Sequence, residues 1–363
     1  MVELALEENV NLAPLTSLGV GGPARYFVDA KSEAEVLSAL EWAEAHRVRA
    51  WLLGGGSNVV ISDAGVNGLV VRIATRGASL ETRGAFAHFS AAAGEPWDDI
   101  VRRAVEQGLS GIECLSGVPG LVGATPIQNV GAYGQEVSET IVTVRAFDRE
   151  SSLVTQLSNR ECRFAYRDSW FKSAARGRFV ILSVTYQLQA GGAPNVRYAE
   201  LARALEAAGV PTPSLRDVRS TVLRVRRSKS MVLDREDPDA QSCGSFFTNP
   251  IVSADVLRGV QERSGTADVP SWPQTDGRVK LSAAWLIERA GFRKGEQFGN
   301  AAISSRHSLA LVSRPGCRAS DVVDAARKIR REVARAFDVT LVPEPEFWGF
   351  ASLDQGLPDE RLA

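Results

Sequence analysis

Apolar residues recur at helical spacing over 32–47, with Val36, Leu40 and Ala43 on one face, and Ser32 with Glu35 three residues on matches a capping box. A short apolar run at 50–53 and the turn Gly54-Gly55-Gly56-Ser57-Asn58 follow, and then a second strand pattern over 68–73. Helix, strand, glycine turn and strand together predict an α/β unit whose loop lies at the carboxyl end of a strand, where ligands of such sheets bind. Further strands are predicted over 87–93, 141–147 and 179–188. A helix over 96–107 starts at Pro96, aligns Trp97, Ile100 and Ala104, and stops at Gly108. After a Gly/Pro-rich linker at 190–195, helical patterns cover 198–208, 215–227, 254–263, 281–290 and 321–337, with strands at 245–252 and 309–313. The last helix turns Val322, Ala326, Ile329 and Val333 inward. Its basic row, Arg327, Lys328, Arg331 and Arg335, reads as a solvated face before it reads as an anion site. No internal repeat or low-complexity segment interrupts this α/β (α+β) pattern.

The stretch 117–134 breaks the periodicity. It reads GVPGLVGATPIQNVGAYG, with no charged residue. Glycine at this density is unfavourable in a helix or central strand, since each one loses backbone freedom and packs no side chain. Val118, Leu121, Val122, Ile127 and Val130 argue against a flexible linker and for a loop tied to a core. A loop of that kind lets peptide N–H groups approach an extended anionic ligand. The 54–58 turn is a second such loop. Its spacing is not G-x-G-x-x-G, and it lacks a P-loop lysine, so a nicotinamide-type dinucleotide fold or an NTPase is disfavoured.

Charge and cysteine usage narrow the class. With 42 Lys+Arg against 43 Asp+Glu in 363 residues, no basic field for nucleic acid is implied. The segment MVELALEENV lacks a secretory pattern, and no stretch approaches the roughly twenty apolar residues of a membrane helix. Cys114, Cys162, Cys243 and Cys317 show no metal or disulfide spacing, so a reducing cytoplasm is expected and no metal is. Cys243 is read as a packing residue.

Several strings, in order, carry a resemblance to a known family. They are TSLGVGGPARYF within 11–27, the two glycine loops, YRDSWFK at 166–172, GSFFTNP at 244–250 and LVPE at 341–344. Together they resemble the UDP-N-acetylenolpyruvoylglucosamine reductase family over about residues 11–349. The resemblance implies an FAD-binding part of the vanillyl-alcohol-oxidase/PCMH type in two α/β subdomains, at 1–74 and 75–213, with the tail 345–363 returning to the first. A smaller α+β substrate domain at 214–344 completes it. FAD would be held non-covalently by Gly54, Gly55, Gly56, Ser57 and Asn58, and by Pro119, Gly120, Gly123, Ala124, Gln128, Asn129 and Gly131.

The family's reaction, carried over, is NADPH-dependent reduction of UDP-N-acetylglucosamine enolpyruvate to UDP-N-acetylmuramate in peptidoglycan precursor synthesis. NADPH reduces FAD, and flavin N5 gives hydride to the terminal vinyl carbon. A proton must then reach the neighbouring carbon. The GSFFTNP match implies Ser245 as its donor, and the other matches imply Arg167 and Glu344 as the remaining catalytic residues. Arginine's fork suits a substrate carboxylate and a developing enolate. Glu344 lies between Pro343 and Pro345, and Glu346 is its rival, because Pro345-Glu346 stands where the family usually has Val-Arg. Tyr166, Lys229, Asn249 and His307 are the implied substrate contacts, and Asn249 follows Thr248 where many relatives carry lysine. Two alternatives stay open: another flavin oxidoreductase acting on an unrelated alcohol or sugar, and a catalytically silent flavoprotein.

Overall fold

The structure is a computed structural model that describes residues 3–234 and 236–350. The chain forms two compact units, each built from separated segments. The first takes residues up to 10, 25–56 and 67–233; the second takes 11–24, 57–66 and the chain from 234 onward.

In the first unit, a four-stranded sheet has the order Glu7–Asn11, Pro23–Ala30, Val66–Ile73, Ala50–Leu53. Its last two strands run parallel, with Ala50 opposite Leu69 and Leu53 opposite Arg72. Residues 54–65 connect this parallel pair, and the helix Glu33–Ala45 precedes it, between Pro23–Ala30 and Ala50–Leu53. That helix buries Val36, Ala39, Leu40 and Ala43. Ser32 caps it by accepting from the Glu35 amide, while the Glu35 carboxylate accepts from the Ser32 amide.

A second, antiparallel sheet has the order Leu153–Ser158, Ile141–Asp148, Phe179–Ala190, Phe86–Ala92, Ala78–Arg83. The helix Trp97–Glu106 buries Trp97, Ile100, Val101, Ala104 and Val105. Pro96 caps this helix from outside, with a backbone ψ of 127°. The helices Ala199–Ala207 and Leu215–Ser228 share a small core made of Leu201, Leu205, Val218, Val222 and Cys114. Residues 214–233 therefore group with the first unit, beyond the 213/214 position where the sequence reading divides the chain.

The second unit carries a four-stranded sheet in the order Ser242–Ser245, Ala310–Ser313, Ala301–Ile303, Gln297–Phe298. The helix Ala319–Phe337 buries eight residues, from Ala319 to Phe337, in this unit's core. At its start, Asp63 accepts from the Ala319 and Ser320 amides at 2.8 and 3.1 Å, which places a carboxylate where the helix dipole favours one. The continuous strand expected over 245–252 is corrected. It is split into Ser242–Ser245 and Ile251–Val252, which pair with different partners. Phe246 and Phe247 are both buried, so strict in/out alternation fails, and Pro250 has no N–H to continue a ladder. Strand Val59–Ile61, which the sequence reading does not include, pairs in parallel with Glu346–Trp348. Of the tail 345–363, residues 351–363 lie outside the described residues.

A buried carboxylate organises the turn before this sheet's second strand. Asp239, 3% exposed, accepts from Ser304 Oγ, Ser305 N, Ser305 Oγ and Arg314 Nη2, at 2.6–2.8 Å. Burial alone would raise its pKa, but Arg314 and the serines outweigh it and hold the group below its ordinary 3.8. A pKa lowered by folding contributes stability that is complete above about pH 4 and is lost as pH falls through the lowered value. Asp239→Asn is therefore expected to cost about 2–3 kcal/mol at neutral pH, from unpairing a largely buried ion pair. The penalty should be smaller at acidic pH, below the ordinary carboxylate range, than at neutral pH in chemical denaturation. An equal penalty at both pH values would contradict this account.

Candidate active site

The two glycine loops meet through their backbones. A Cβ placed on Gly55 would stand 3.0 Å from Gly120 Cα, whereas one on Gly54 would meet only Leu121 Cδ1, at 3.9 Å. Gly120 has φ +113°, a region that side chains disfavour, and its carbonyl accepts from the Trp97 amide at 3.0 Å. Gly123 has a different task. Its N–H is committed to Ala93 O at 2.8 Å, and a Cβ there would lie 2.7 Å from Ala93 Cβ. The Ala124 amide is likewise bonded to Leu121 O.

The entry to the second loop is clamped from elsewhere in the same unit. Asp98 accepts from the Gly117 amide at 2.6 Å and holds Arg219 in a two-pronged pair at 2.6 and 2.8 Å. Arg226, buried, donates to Gly117 O at 3.2 Å and to Met231 O at 2.6 Å. Sequence reading missed these residues. Asp98 lies 121 positions from Arg219, and no local pattern reports such a pairing.

The 166–172 segment docks on the far end of the same loop. Arg167 Nη2 donates to Gly131 O at 2.7 Å, and its guanidinium carbon stands 5.4 Å from the Tyr166 ring centre. A Cβ on Gly131 would stand 2.7 Å from Glu136 Cγ, 3.0 Å from Gln135 O and 3.1 Å from Arg167 Nη1. Asn129, buried with φ +42°, donates to Glu136 and to Ala165 O. Ser169 Oγ donates to Ile127 O, and Lys172 Nζ donates to Gln128 Oε1. Tyr166 and Arg167 are half-buried.

In the second unit, Ser245 ends the strand that pairs with Ala310. It follows Gly244 at φ +77°. Beyond it, the 341–344 segment lies alongside. Glu344 N donates to Phe246 O at 2.8 Å, Thr248 N donates to Val342 O at 3.0 Å, and Phe247 bridges to Pro343. Glu344 thereby stands opposite Phe246, the residue after Ser245. Asn58 holds the other side: its amide donates to Glu344 O at 3.3 Å, and its carbonyl accepts from Glu346 N at 3.0 Å. Glu346 instead belongs to the strand facing Val59. Cys243 is buried, and burial, with the Glu344 charge as a smaller cause, pushes its thiol far up, so it remains protonated.

The substrate candidates are more dispersed. Lys229 Nζ pairs with Glu200 at 2.6 Å, in the first unit. Asn249 Oδ1 accepts from Ala283 N at 2.9 Å, at the start of the Ala283–Arg289 helix. His307 N donates to Ser304 Oγ, next to the Asp239 cluster. A cavity of about 580 Å³ lined by Thr75, Arg76, Ser90, Arg145 and Leu182 contains none of the candidates. Among the described residues, no group of three or more His, Cys, Asp or Glu is placed to hold a metal ion, and no helix is long and apolar enough to cross a membrane.

Abutting, side-chain-poor loops at the carboxyl end of a parallel strand pair are suited to an extended phosphate-bearing cofactor. Residues 24–156 match the FAD-binding domain family, which makes the first unit that of a flavoprotein oxidoreductase. Residues 237–348 match the C-terminal domain of UDP-N-acetylenolpyruvoylglucosamine reductase. The reductase of that name from Thermobifida fusca is 47% identical over 350 residues, covering 94% of this chain and 97% of the relative. The one from Streptomyces coelicolor is 47% identical over 347 residues, covering 94% and 89%. The chain belongs to the UDP-N-acetylenolpyruvoylglucosamine reductase family and is an FAD-dependent oxidoreductase. The fold is similar to that of the Thermus caldophilus UDP-N-acetylenolpyruvylglucosamine reductase, with TM-score 0.67, 24% identity, and coverage of 96% of this chain and 100% of that one.

Loop contact and cofactor fit can be tested together. Gly55→Ala drives a Cβ against backbone and should weaken FAD binding about tenfold or more, whereas Gly54→Ala meets ordinary van der Waals contact and should cost less than about threefold. FAD titration of the apoproteins by flavin fluorescence measures both. Equal losses would contradict the loop geometry.

Proposed function

We propose that the protein reduces UDP-N-acetylglucosamine enolpyruvate to UDP-N-acetylmuramate with NADPH, in peptidoglycan precursor synthesis. The observation that carries the reading is the ladder that sets Glu344 beside Phe246, the residue after Ser245. FAD, held by the 54–58 and 117–134 loops, would supply the hydride for the vinyl carbon of the substrate, with NADPH as the reductant. The chain's own residues manage charge and protons. The Arg167 guanidinium pairs with the enolpyruvyl carboxylate and favours the enolate that develops beside it. The Ser245 hydroxyl delivers a proton to the carbon bearing that carboxylate. Serine is a weak acid, yet an enolate carbon is a strong enough base for the transfer to run downhill. Glu344 belongs to the same proton path, as the group that returns a proton to Ser245 or donates it directly. The new C–H bonds thus come from one hydride and one proton, and the double bond becomes a lactyl ether.

The geometry favours Glu344 over Glu346, since the Glu344 main chain bonds to Phe246 while Glu346 pairs with the Val59 strand. Around the UDP-sugar, the reading assigns contacts to Tyr166, Lys229, Asn249 and His307. For Lys229 this requires exchanging Glu200 for the pyrophosphate.

Anaerobic stopped-flow separates the half-reactions. Ser245→Ala should leave flavin reduction by NADPH within about twofold and slow substrate-dependent reoxidation by about 10²–10⁴. Arg167→Ala should slow the same reoxidation by about 10²–10³. Reoxidation at the wild-type rate in either variant would remove that residue from the mechanism.

A further inference from the structure

Lys172 is a charged residue with 8% of its surface exposed, inside the segment that presents Arg167. Burying an ammonium is costly unless its N–H groups find acceptors. Its Nζ lies 2.8 Å from Gln128 Oε1 and 3.1 Å from the Arg167 carbonyl oxygen. Both acceptors belong to parts of the site. Arg167 has φ +54°, a left-handed conformation unfavourable for a non-glycine residue. Such backbone persists where its surroundings over-determine it. Here the Arg167 carbonyl is held by Lys172 and its guanidinium by Gly131 O. Gln128 sits in the glycine loop. An ammonium can only donate, so the Gln128 carbonyl must face it, and the Gln128 NH₂ is kept as a donor at the opposite end.

We propose that Lys172 is a positioning residue that sets the direction of the Arg167 guanidinium and the orientation of the Gln128 amide with one buried charge. Arg167 then meets the substrate carboxylate already aimed, and the Gln128 donor is aligned for the cofactor. The inference rests on the reading of Arg167 as the partner of that carboxylate.

The test compares Lys172→Met, Arg167→Ala and the double variant. Lys172→Met should weaken FAD binding to the apoprotein about fivefold, the scale of one misplaced hydrogen bond. At saturating FAD, it should lower kcat for substrate-dependent reoxidation about 10–100-fold with a smaller change in KM, and leave reduction by NADPH within about twofold. On the Arg167→Ala background it should add less than about threefold, because the two changes remove one function.

Arg167→Ala with wild-type reoxidation would sink the reading of Arg167 and this proposal with it. A slow Arg167→Ala alongside a wild-type Lys172→Met would overturn the proposal alone, as would full multiplication of the two losses in the double variant. Unchanged FAD affinity would remove the Gln128 part. If Lys172→Met does not fold, Lys172→Arg keeps the charge but replaces a point donor with a longer planar fork. It should lose about 3–10-fold in reoxidation, and a wild-type rate there would overturn the proposal.

Discussion

The hydrogen bond from Arg167 to the Gly131 carbonyl is the constraint around which the first unit's site is arranged. It is made at Gly131, where a Cβ would meet Glu136 Cγ at 2.7 Å, by a residue in left-handed backbone, and the 117–134 loop that carries it is held at both ends. Asp98 and Arg226 fix the beginning of the loop at Gly117. Asn129, Ser169 and Lys172 fix its end against the 166–172 segment. A glycine-rich chain left to itself would sample many conformations, and the entropy lost in ordering it must be offset by contacts of this kind. Several of them involve charged groups, whose hydrogen bonds are the strong ones. The loop is therefore rigid because of what surrounds it, and its glycines supply room and positive φ.

The second unit follows the same logic with a different device. Pro343 and Pro345 restrict the backbone on both sides of Glu344 and remove two donors. The groups that remain are engaged: the Glu344 amide by Phe246 and its carbonyl by Asn58. Holding the main chain this way fixes the point from which the Glu344 side chain projects. Asn58, expected as a cofactor contact from the family resemblance, also bonds the 344–346 segment.

Much of this was legible in the sequence. The capping box at Ser32, the strands at 50–53 and 68–73, the helix from Trp97 and the long helix ending at Phe337 all follow from periodicity and cap chemistry. Strands Leu153–Ser158 and Ala78–Arg83 were not, because they are mostly exposed and lack an alternating apolar face. The split at 246–250 escaped notice because two adjacent phenylalanines read as strand wherever they sit. Motif strings marked Ser245, Arg167 and Glu344 as candidates only through the family resemblance. The side chains that hold the loops, Asp98, Arg219, Arg226 and Lys172, lie on elements whose local patterns speak only of helix and turn. Those pairings are set by tertiary packing.

The measurement that bears most directly on the account is anaerobic NADPH oxidation by the FAD-loaded protein, with and without UDP-N-acetylglucosamine enolpyruvate, followed by identification of the product. The account predicts turnover that depends on the enolpyruvyl substrate and yields UDP-N-acetylmuramate, one equivalent per NADPH consumed. Flavin reduction by NADPH with no turnover on that substrate would contradict it and assign the second unit to a different acceptor.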